Sequence, residues 1–270
     1  MTVPARASST VSSSSSSTNS DTYRMVALDL DGTLLHSDHQ MSDATREYLV
    51  DLDARGFTVV IATGRSATTL YEQVERLNLP HPLPVVCSNG SRGLLCSVVE
   101  GGGTDADGPA AKSSGVTTTS IASKELFSTP VPATVARKTI QLARDLGYVS
   151  QYYVGENIYA DPRMPHHFEL TELYKKLTHA DTIYVEDDFE EAMALGLPSK
   201  QLVLCPLAEQ EDMIAAFQKA FGDDGQTATI IRGSMGWFLE ILHPAVCKGY
   251  GLTTMCSHLD IDIADVIAFG

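Results

Sequence analysis

Positive charge is scarce in this sequence. Its 270 residues carry 19 Lys and Arg against 34 Asp and Glu, a formal charge of −15, and the pI is near 4.8. Such a surface repels polyphosphate backbones, so nucleic acid is not an expected partner. An anionic metabolite is not excluded, because a metal ion and one or two local cations override the global field inside a cleft. Cysteine is sparse as well: the five present, an odd number with no Cys-x-x-Cys pair, give neither a disulfide framework nor zinc-ligand spacing. They read as reduced thiols, with Cys87 packed in a strand. No apolar run approaches the ~18–20 residues that span a bilayer, so the chain reads as soluble with no membrane partner. What is present suffices for folding: the hydrophobic fraction of 43% is that of an ordinary globular protein, and the length allows one or two domains with proper cores.

The first 22 residues, including the serine run Ser12 to Ser17, lack apolar periodicity and are expected to be a disordered tail. The tail has no apolar stretch of the kind a secretory signal needs. Its Ser and Thr content, with Arg6 and no acid before Asp21, loosely resembles an organelle transit peptide. A plain flexible extension on a cytoplasmic protein is the simpler reading. From Arg24 strand and helix patterns alternate. Met25 to Leu28 is an apolar strand; Ser42 is a plausible N-cap for a helix carrying Ala44, Tyr48, Leu49 and Leu52 and stopping at Gly56. Thr58 to Ala62 is the next strand, Ser66 caps a helix with Leu70, Val74 and Leu77 closed by Pro80, and Val85 to Cys87 is the third strand. Alternation of this kind predicts βαβ units and a doubly wound, Rossmann-like parallel sheet.

The stretch Asp29-Leu30-Asp31-Gly32 at the mouth of the first strand carries the chemistry. Side chains two apart on an extended segment point the same way, so Asp29 and Asp31 are expected to face one reacting centre, one as nucleophile and the other as proton carrier. Gly32 lets the backbone turn away. This is a layout for phosphoryl transfer. A carboxylate attacking an anionic phosphate is electrostatically opposed, so a divalent cation must bridge them, and hard oxygen ligands with retained waters point to Mg2+. Read alone, the same four residues are also an ordinary acidic turn after a strand.

Further residues narrow the choice. Ile61-Ala62-Thr63-Gly64-Arg65 ends the second strand, Ser88-Asn89-Gly90 the third, and Lys248-Gly249 follows the late strand Phe238-Leu239-Glu240-Ile241. In order and spacing these resemble the motifs of the haloacid dehalogenase superfamily, Cof-type branch, over roughly Arg24 to Gly270. The resemblance implies a Mg2+-dependent phosphatase of a small phosphorylated metabolite, a sugar phosphate or phosphorylated cofactor, with a large αβ cap inserted between the second and third motifs. It implies Asp29 as nucleophile and Asp31 as acid and base, with the Asp29 side chain and the Asp31 backbone carbonyl as metal ligands. Thr63, by hydroxyl and amide, and Lys248, as a point charge, would neutralise and position the phosphoryl group. Gly32, Thr63, Gly64, Arg65, Asn89 and Lys248 form the expected substrate-binding set. Arg65 is equally well read as one half of a surface ion pair, and Asn89 as a turn residue tolerating positive φ before Gly90.

The implied organisation is a core over 23–93 and 232–270 and an α+β cap over 94–231, with a flexible loop at 101–119 rich in Gly, Ala, Ser and Thr. The cap pattern comprises a helix after Pro132, strands around Tyr152 and Ile158, acidic helices near Glu172 and Glu190, a strand Gln201 to Cys205, a helix with Met213, Ile214 and Phe217, and a strand Thr227 to Ile231. Trp237 to Leu242 then leads back to the core. In the resembling family a fourth acidic motif follows the strand that Val266 to Gly270 would form; with the sequence ending at Gly270, the core is expected to be truncated there, its metal shell incomplete and the Gly270 carboxylate near the missing ligand. Two rivals follow: a non-catalytic phosphate-binding relative, and a phosphosugar mutase. The pair His166-His167 points to two sides of any regular element and is not read as a metal site, and Tyr152, Tyr153, Tyr159 and Trp237 are read as packing. Oligomeric state has no signature in the sequence.

Overall fold

The computed structural model describes residues 23–36, 40–100, 119–178, 180–186, 188–222, 225–233 and 236–270. The expected disordered tail and nearly all of the expected flexible loop lie outside them. Three parallel strands, β1 (Met25–Leu28), β2 (Thr58–Ala62) and β3 (Leu83–Cys87), form the centre of the first sheet. Helix α1 (Asp43–Ala54) joins β1 to β2, and Ser42 caps it as expected, its Oγ accepting from the Thr45 amide at 3.0 Å. The second connection differs in detail. Ser66 makes no side-chain cap; one 3-10 turn (Ala67–Leu70) precedes α2 (Tyr71–Leu77), which ends at Asn78 in the left-handed region (φ 43°) rather than at Pro80. Leu70, Val74 and Leu77 are nonetheless buried in the register expected.

The next two strands correct the expected domain boundary. β4 (Arg92–Glu100) pairs antiparallel with β3, and β5 (Thr119–Ser128) antiparallel with β4, so both extend the core sheet although the sequence placed everything after residue 93 in the cap. The cause is the turn Ser88–Gly90. Ser88, Asn89 and Gly90 all adopt positive φ (50°, 59° and 105°), which reverses the chain so that Leu94 and Cys96 pack into the same cluster as Leu83 and Val85.

The cap sheet is built from β6 (Val149–Val154), β7 (Asn157–Ala160), β8 (Ile183–Tyr184), β9 (Lys200–Leu204), β10 (Thr229–Arg232) and β11 (Phe238–Leu242), in the order β10-β11-β9-β6-β7-β8. β11 is the second correction: the strand expected to return the chain to the core lies between β10 and β9, antiparallel to both. Its alternation explains this, since Leu239 and Ile241 are fully buried on one cap face. That face is covered by helices α3 (Ala133–Asp145), α5 (Glu190–Leu195) and α6 (Gln210–Phe221). On the other face lies α4 (Pro165–Thr178), whose Tyr174 packs edge-on against Trp237 and Phe238. The chain then re-enters the core as α7 (Lys248–Leu259) and β12 (Val266–Phe269), which pairs parallel with β1 and completes the order β12-β1-β2-β3-β4-β5. No helix among the described residues is long and apolar enough to cross a membrane.

Among the described residues, polar contacts join cap and core in two regions. Near the chain's exit from the core, buried Arg92 donates to Glu125 on β5 (2.7 Å) and to Gly155 O (2.6 Å) and Glu156 (3.2 Å) in the β6–β7 turn. The second contact belongs to the candidate site.

His167 is buried and structural. Its Nε2 donates to Gly147 O (2.8 Å) and its Nδ1 accepts from the Arg163 amide (3.2 Å), which fixes the neutral tautomer. Burial, outweighing the Gly147 contact, holds its pKa below the ordinary 6.5. The unfolded chain therefore takes up this proton first as pH falls, so the His167 contribution is complete above about pH 6.5 and is lost below it. Urea midpoints measured from pH 7.5 to 5 are expected to fall in the wild type and to fall less steeply in His167→Gln.

Candidate active site

The parallel strands of the core all end at one edge of the sheet, where open α/β folds bind ligands, and the expected site residues sit there. β1 stops at Leu28, and the chain bends at once: Leu34 N–H reaches back to Asp29 O and Leu30 O, and Gly32 takes φ 76°. The bend alters one expectation. Asp29 and Asp31 are not on an extended segment, and the two carboxylates have different partners. Asp29 Oδ1 lies 2.7 Å from Lys248 Nζ and accepts the Leu30 amide at 2.7 Å. Asp31 is gripped by Arg65 in a two-pronged contact, Nε to Oδ2 at 2.9 Å and Nη2 to Oδ1 at 2.5 Å. Such fork-to-fork pairs fix orientation as well as charge.

Lys248 is the first residue of α7, and its approach to Asp29 depends on a close backbone contact. A Cβ on Gly90 would fall 2.1 Å from Cys247 O, and one on Gly251 would fall 2.6 Å from Gly90 Cα. With no side chain at either position, the start of α7 lies directly on the Ser88–Gly90 turn. The same turn closes on the β2 loop, with Ser88 N–H donating to Arg65 O (2.8 Å) and Asn89 N–H to Thr63 O (3.0 Å).

Thr63 is buried, and its amide is already committed to Val86 O at 2.8 Å, so that expected phosphate donor is taken up by the sheet. Its hydroxyl oxygen accepts the Arg65 amide at 3.2 Å. Gly64 carries no side chain where a Cβ would stand 2.7 Å from Asn89 Oδ1. Asn89 holds the positive φ of a turn residue and sends its Nδ2 to Glu240 Oε2 at 2.5 Å. Arg65 likewise forms an ion pair and also lines a cavity.

Two cavities open at this edge. One, of about 320 Å³, is lined by Asp29, Lys248, Phe269 and Gly270; a Cβ on Gly270 would lie 3.4 Å from Asp29 Cβ. The other, of about 250 Å³, lies between core and cap, with Asp31, Gly64 and Arg65 on the core side and Tyr153, Tyr174, Lys200, Phe238 and Glu240 on the cap side. The cap residues were not expected. Lys200 is 2% exposed, yet its ammonium donates to Gly64 O (2.9 Å) and Glu240 Oε2 (3.2 Å) and sits 5.0 Å above the Tyr153 ring. Burial pulls its pKa down, but the Glu240 carboxylate outweighs that and the net shift is upward, so the amine stays charged. Burial also raises the Tyr153 phenol well above its usual value. A signal for Glu240 was present, since a carboxylate inside Phe238-Leu239-Glu240-Ile241 interrupts an apolar strand and such a charge needs a partner. Lys200 opens its strand, where a lysine reads as solvent-facing.

Among the described residues no three His, Cys, Asp or Glu side chains converge as a metal cluster. The hard oxygens of Asp29 and Asp31 suit Mg2+, which is typically held by one or two carboxylates together with water and substrate phosphate.

The model of the haloacid dehalogenase-like hydrolases matches residues 26–92 and 102–270. The chain belongs to this hydrolase family. The relatives include an HMP-PP phosphatase of Cronobacter sakazakii, 25% identical over 254 residues covering 92% of this chain and 77% of that protein. Among solved structures, TM0651 from Thermotoga maritima superposes with a TM-score of 0.69 at 20% identity, covering 92% of this chain and 79% of that one. A subclass IIB sugar phosphatase, BT4131, gives 0.63 at 17% identity over 92% and 80%. At these identities the structures establish the fold, a parallel-sheet core of the hydrolase family carrying an α+β cap.

The buried pair at the cap–core joint has a measurable signature. Removing one partner of a buried ion pair leaves an uncompensated charge, so Lys200→Met is expected to cost about 3–5 kcal/mol. Lys200→Met with Glu240→Leu should recover a large part of that loss in urea unfolding.

Proposed function

We propose that this hydrolase is a phosphatase that releases phosphate from a small phosphorylated metabolite by way of a transient aspartyl-phosphate on Asp29. The observation that carries the reading is the 2.7 Å contact between Lys248 Nζ and Asp29 Oδ1 at the end of β1. An ammonium there offsets the repulsion between the carboxylate and an incoming phosphate, and orients the attacking oxygen while the Leu30 amide holds the same atom. The names of the relatives, an HMP-PP phosphatase and a sugar phosphatase, support a small phosphate ester as substrate.

In this reading Asp29 attacks phosphorus in line and the leaving alkoxide departs with a proton from Asp31. Asp31 then takes a proton from the water that cleaves the acyl phosphate, and Asp29 is regenerated. Arg65 orients the Asp31 carboxylate, and its contact to one of the two oxygens opens when that oxygen takes up the proton. The Thr63 hydroxyl and Lys248 neutralise and position the phosphoryl group, since this chemistry depends mainly on geometry and charge compensation. Gly32 takes the positive φ of the turn beside Asp31, Gly64 leaves room for the Asn89 side chain, and Asn89 anchors the cap side of the cavity through Glu240. Asp29 and Asp31 would hold Mg2+, which supplies further charge neutralisation between carboxylate and phosphate.

The core that fits this site comprises the described residues between 23 and 128 and the segment after Leu242, with the cap between them. Phosphate release from a panel of phosphate monoesters in the presence of Mg2+ tests the proposal. Asp29→Asn is expected to abolish turnover, and Asp31→Asn to lower kcat by about 10²–10⁴-fold, the range for loss of a positioned acid or base. A chelator should stop the reaction and added Mg2+ restore it. Equal rates in wild type and Asp29→Asn would overturn the reading, and isomerised esters with little free phosphate would replace it with a mutase.

A further inference from the structure

The cavity between cap and core is unusually specific in its charge. It presents two cations, Arg65 and Lys200, and two anions, Asp31 and Glu240. Each cation is paired with one of the anions, Arg65 with Asp31 and Lys200 with Glu240. The wall is therefore balanced, with no surplus cation to receive a second phosphate or a carboxylate beyond the group being hydrolysed. Tyr174, Leu177 and Phe238 supply an apolar surface beside these pairs.

Within the balanced wall one polar atom stands out. Glu240 Oε2 accepts from both Asn89 Nδ2 and Lys200 Nζ. Its twin, Oε1, has no hydrogen-bond partner among the described residues and is not sealed from the cavity. A carboxylate oxygen held on a rigid strand, with its neighbour oxygen locked by two donors, is an acceptor waiting for an O–H or N–H. The locking matters, because it prevents the carboxylate from rotating to suit another ligand. Lys200 acts here as a positioning residue: its ammonium, fastened to Gly64 O of the core and to the face of Tyr153, fixes where Glu240 stands.

We propose that Glu240 is a specificity-determining residue, its Oε1 accepting a hydrogen bond from an uncharged, donor-bearing leaving group of the phosphate ester, whose apolar side lies on Tyr174 and Phe238. The proposal rests on the phosphatase reading of the same site for the identity of the ester, and it names what that ester's organic part must carry. A site built around an unpaired acceptor rejects ligands that lack the matching donor, because the acceptor is then desolvated without compensation. Esters with a second anionic group are disfavoured by the balanced wall.

Calorimetric titration of the full-length Asp29→Asn protein with Mg2+ reads the inference without turnover. The probes are glucose 6-phosphate and pyridoxine 5′-phosphate, which carry donors, and cyclohexylmethyl phosphate, which carries none. At least one donor-bearing ester is expected to bind about 10-fold or more tightly than the donor-free one. Adding Glu240→Gln should collapse that ratio. The amide oxygen stays on the two donors Asn89 and Lys200, and an NH2 then replaces the acceptor Oε1. A second measurement leaves Glu240 intact: among singly O-methylated forms of the better-binding ester, methylation of one particular hydroxyl should weaken binding about 10-fold. No preference for either donor-bearing ester, or a ratio unmoved by Glu240→Gln in a folded protein, overturns the inference. The phosphatase reading fails separately: retained binding selectivity with no phosphate released by the wild type sinks the activity and leaves the role of Glu240 standing.

Discussion

The candidate site is organised by one close approach of backbone to backbone, that of the Ser88–Gly90 turn and the first residues of α7. Gly90 and Gly251 are both required for it, because a methyl group at either would occupy space held by the other segment. The contact has three consequences at once. It lays α7 at the end of β1, where its first residue, Lys248, meets Asp29. It turns Asn89 toward the cap, where it finds Glu240. It also reverses the chain so that β4 and β5 close the core sheet on the side away from β12. A turn of three residues with positive φ is costly in backbone terms, and here it is held by Ser88 N–H to Arg65 O and Asn89 N–H to Thr63 O.

The electrostatics follow the same economy of parts. Although the chain is strongly acidic, its site is a set of matched pairs: Asp29 with Lys248, Asp31 with Arg65, Glu240 with Lys200. The basic residues are few, and three of them stand at this one edge of the sheet. A global field that repels polyanions is thus compatible with a local site for a single phosphate, which needs only a few well-placed positive groups.

Much of this was legible in the sequence, for a physical reason: the residues that meet the phosphate in the proposed mechanism sit at strand ends or a helix start, and such ends are marked by Gly, Asp and Lys breaking apolar runs. Asp29 and Lys248 stand out in the sequence that way. The pairing of the strands was not. Leu94 to Val99 and Phe238 to Leu242 are apolar stretches that fit either sheet equally well. What sorts them is the backbone of Ser88 and Asn89, two non-glycine residues in the left-handed region, and the burial of Leu239 and Ile241 among cap helices. The two-residue alternation applied to Asp29 and Asp31 presumes an extended segment past the strand end, whereas the chain turns directly after Leu28. Lys200 left no trace in the sequence, since its partner Glu240 is 40 residues away.

The way Lys200 and Glu240 meet the core bears on how the molecule can breathe. Both residues belong to the cap, so their ion pair travels as a unit; only the links to Gly64 O and to Asn89 cross the divide. Parting the two bodies at this seam exchanges those links for bonds to water, an exchange of small net free energy, and returns hydration to a pair that had lost it. A greasy seam would resist wetting. This one is joined by hydrogen bonds, so water can take the place of each partner where the seam parts.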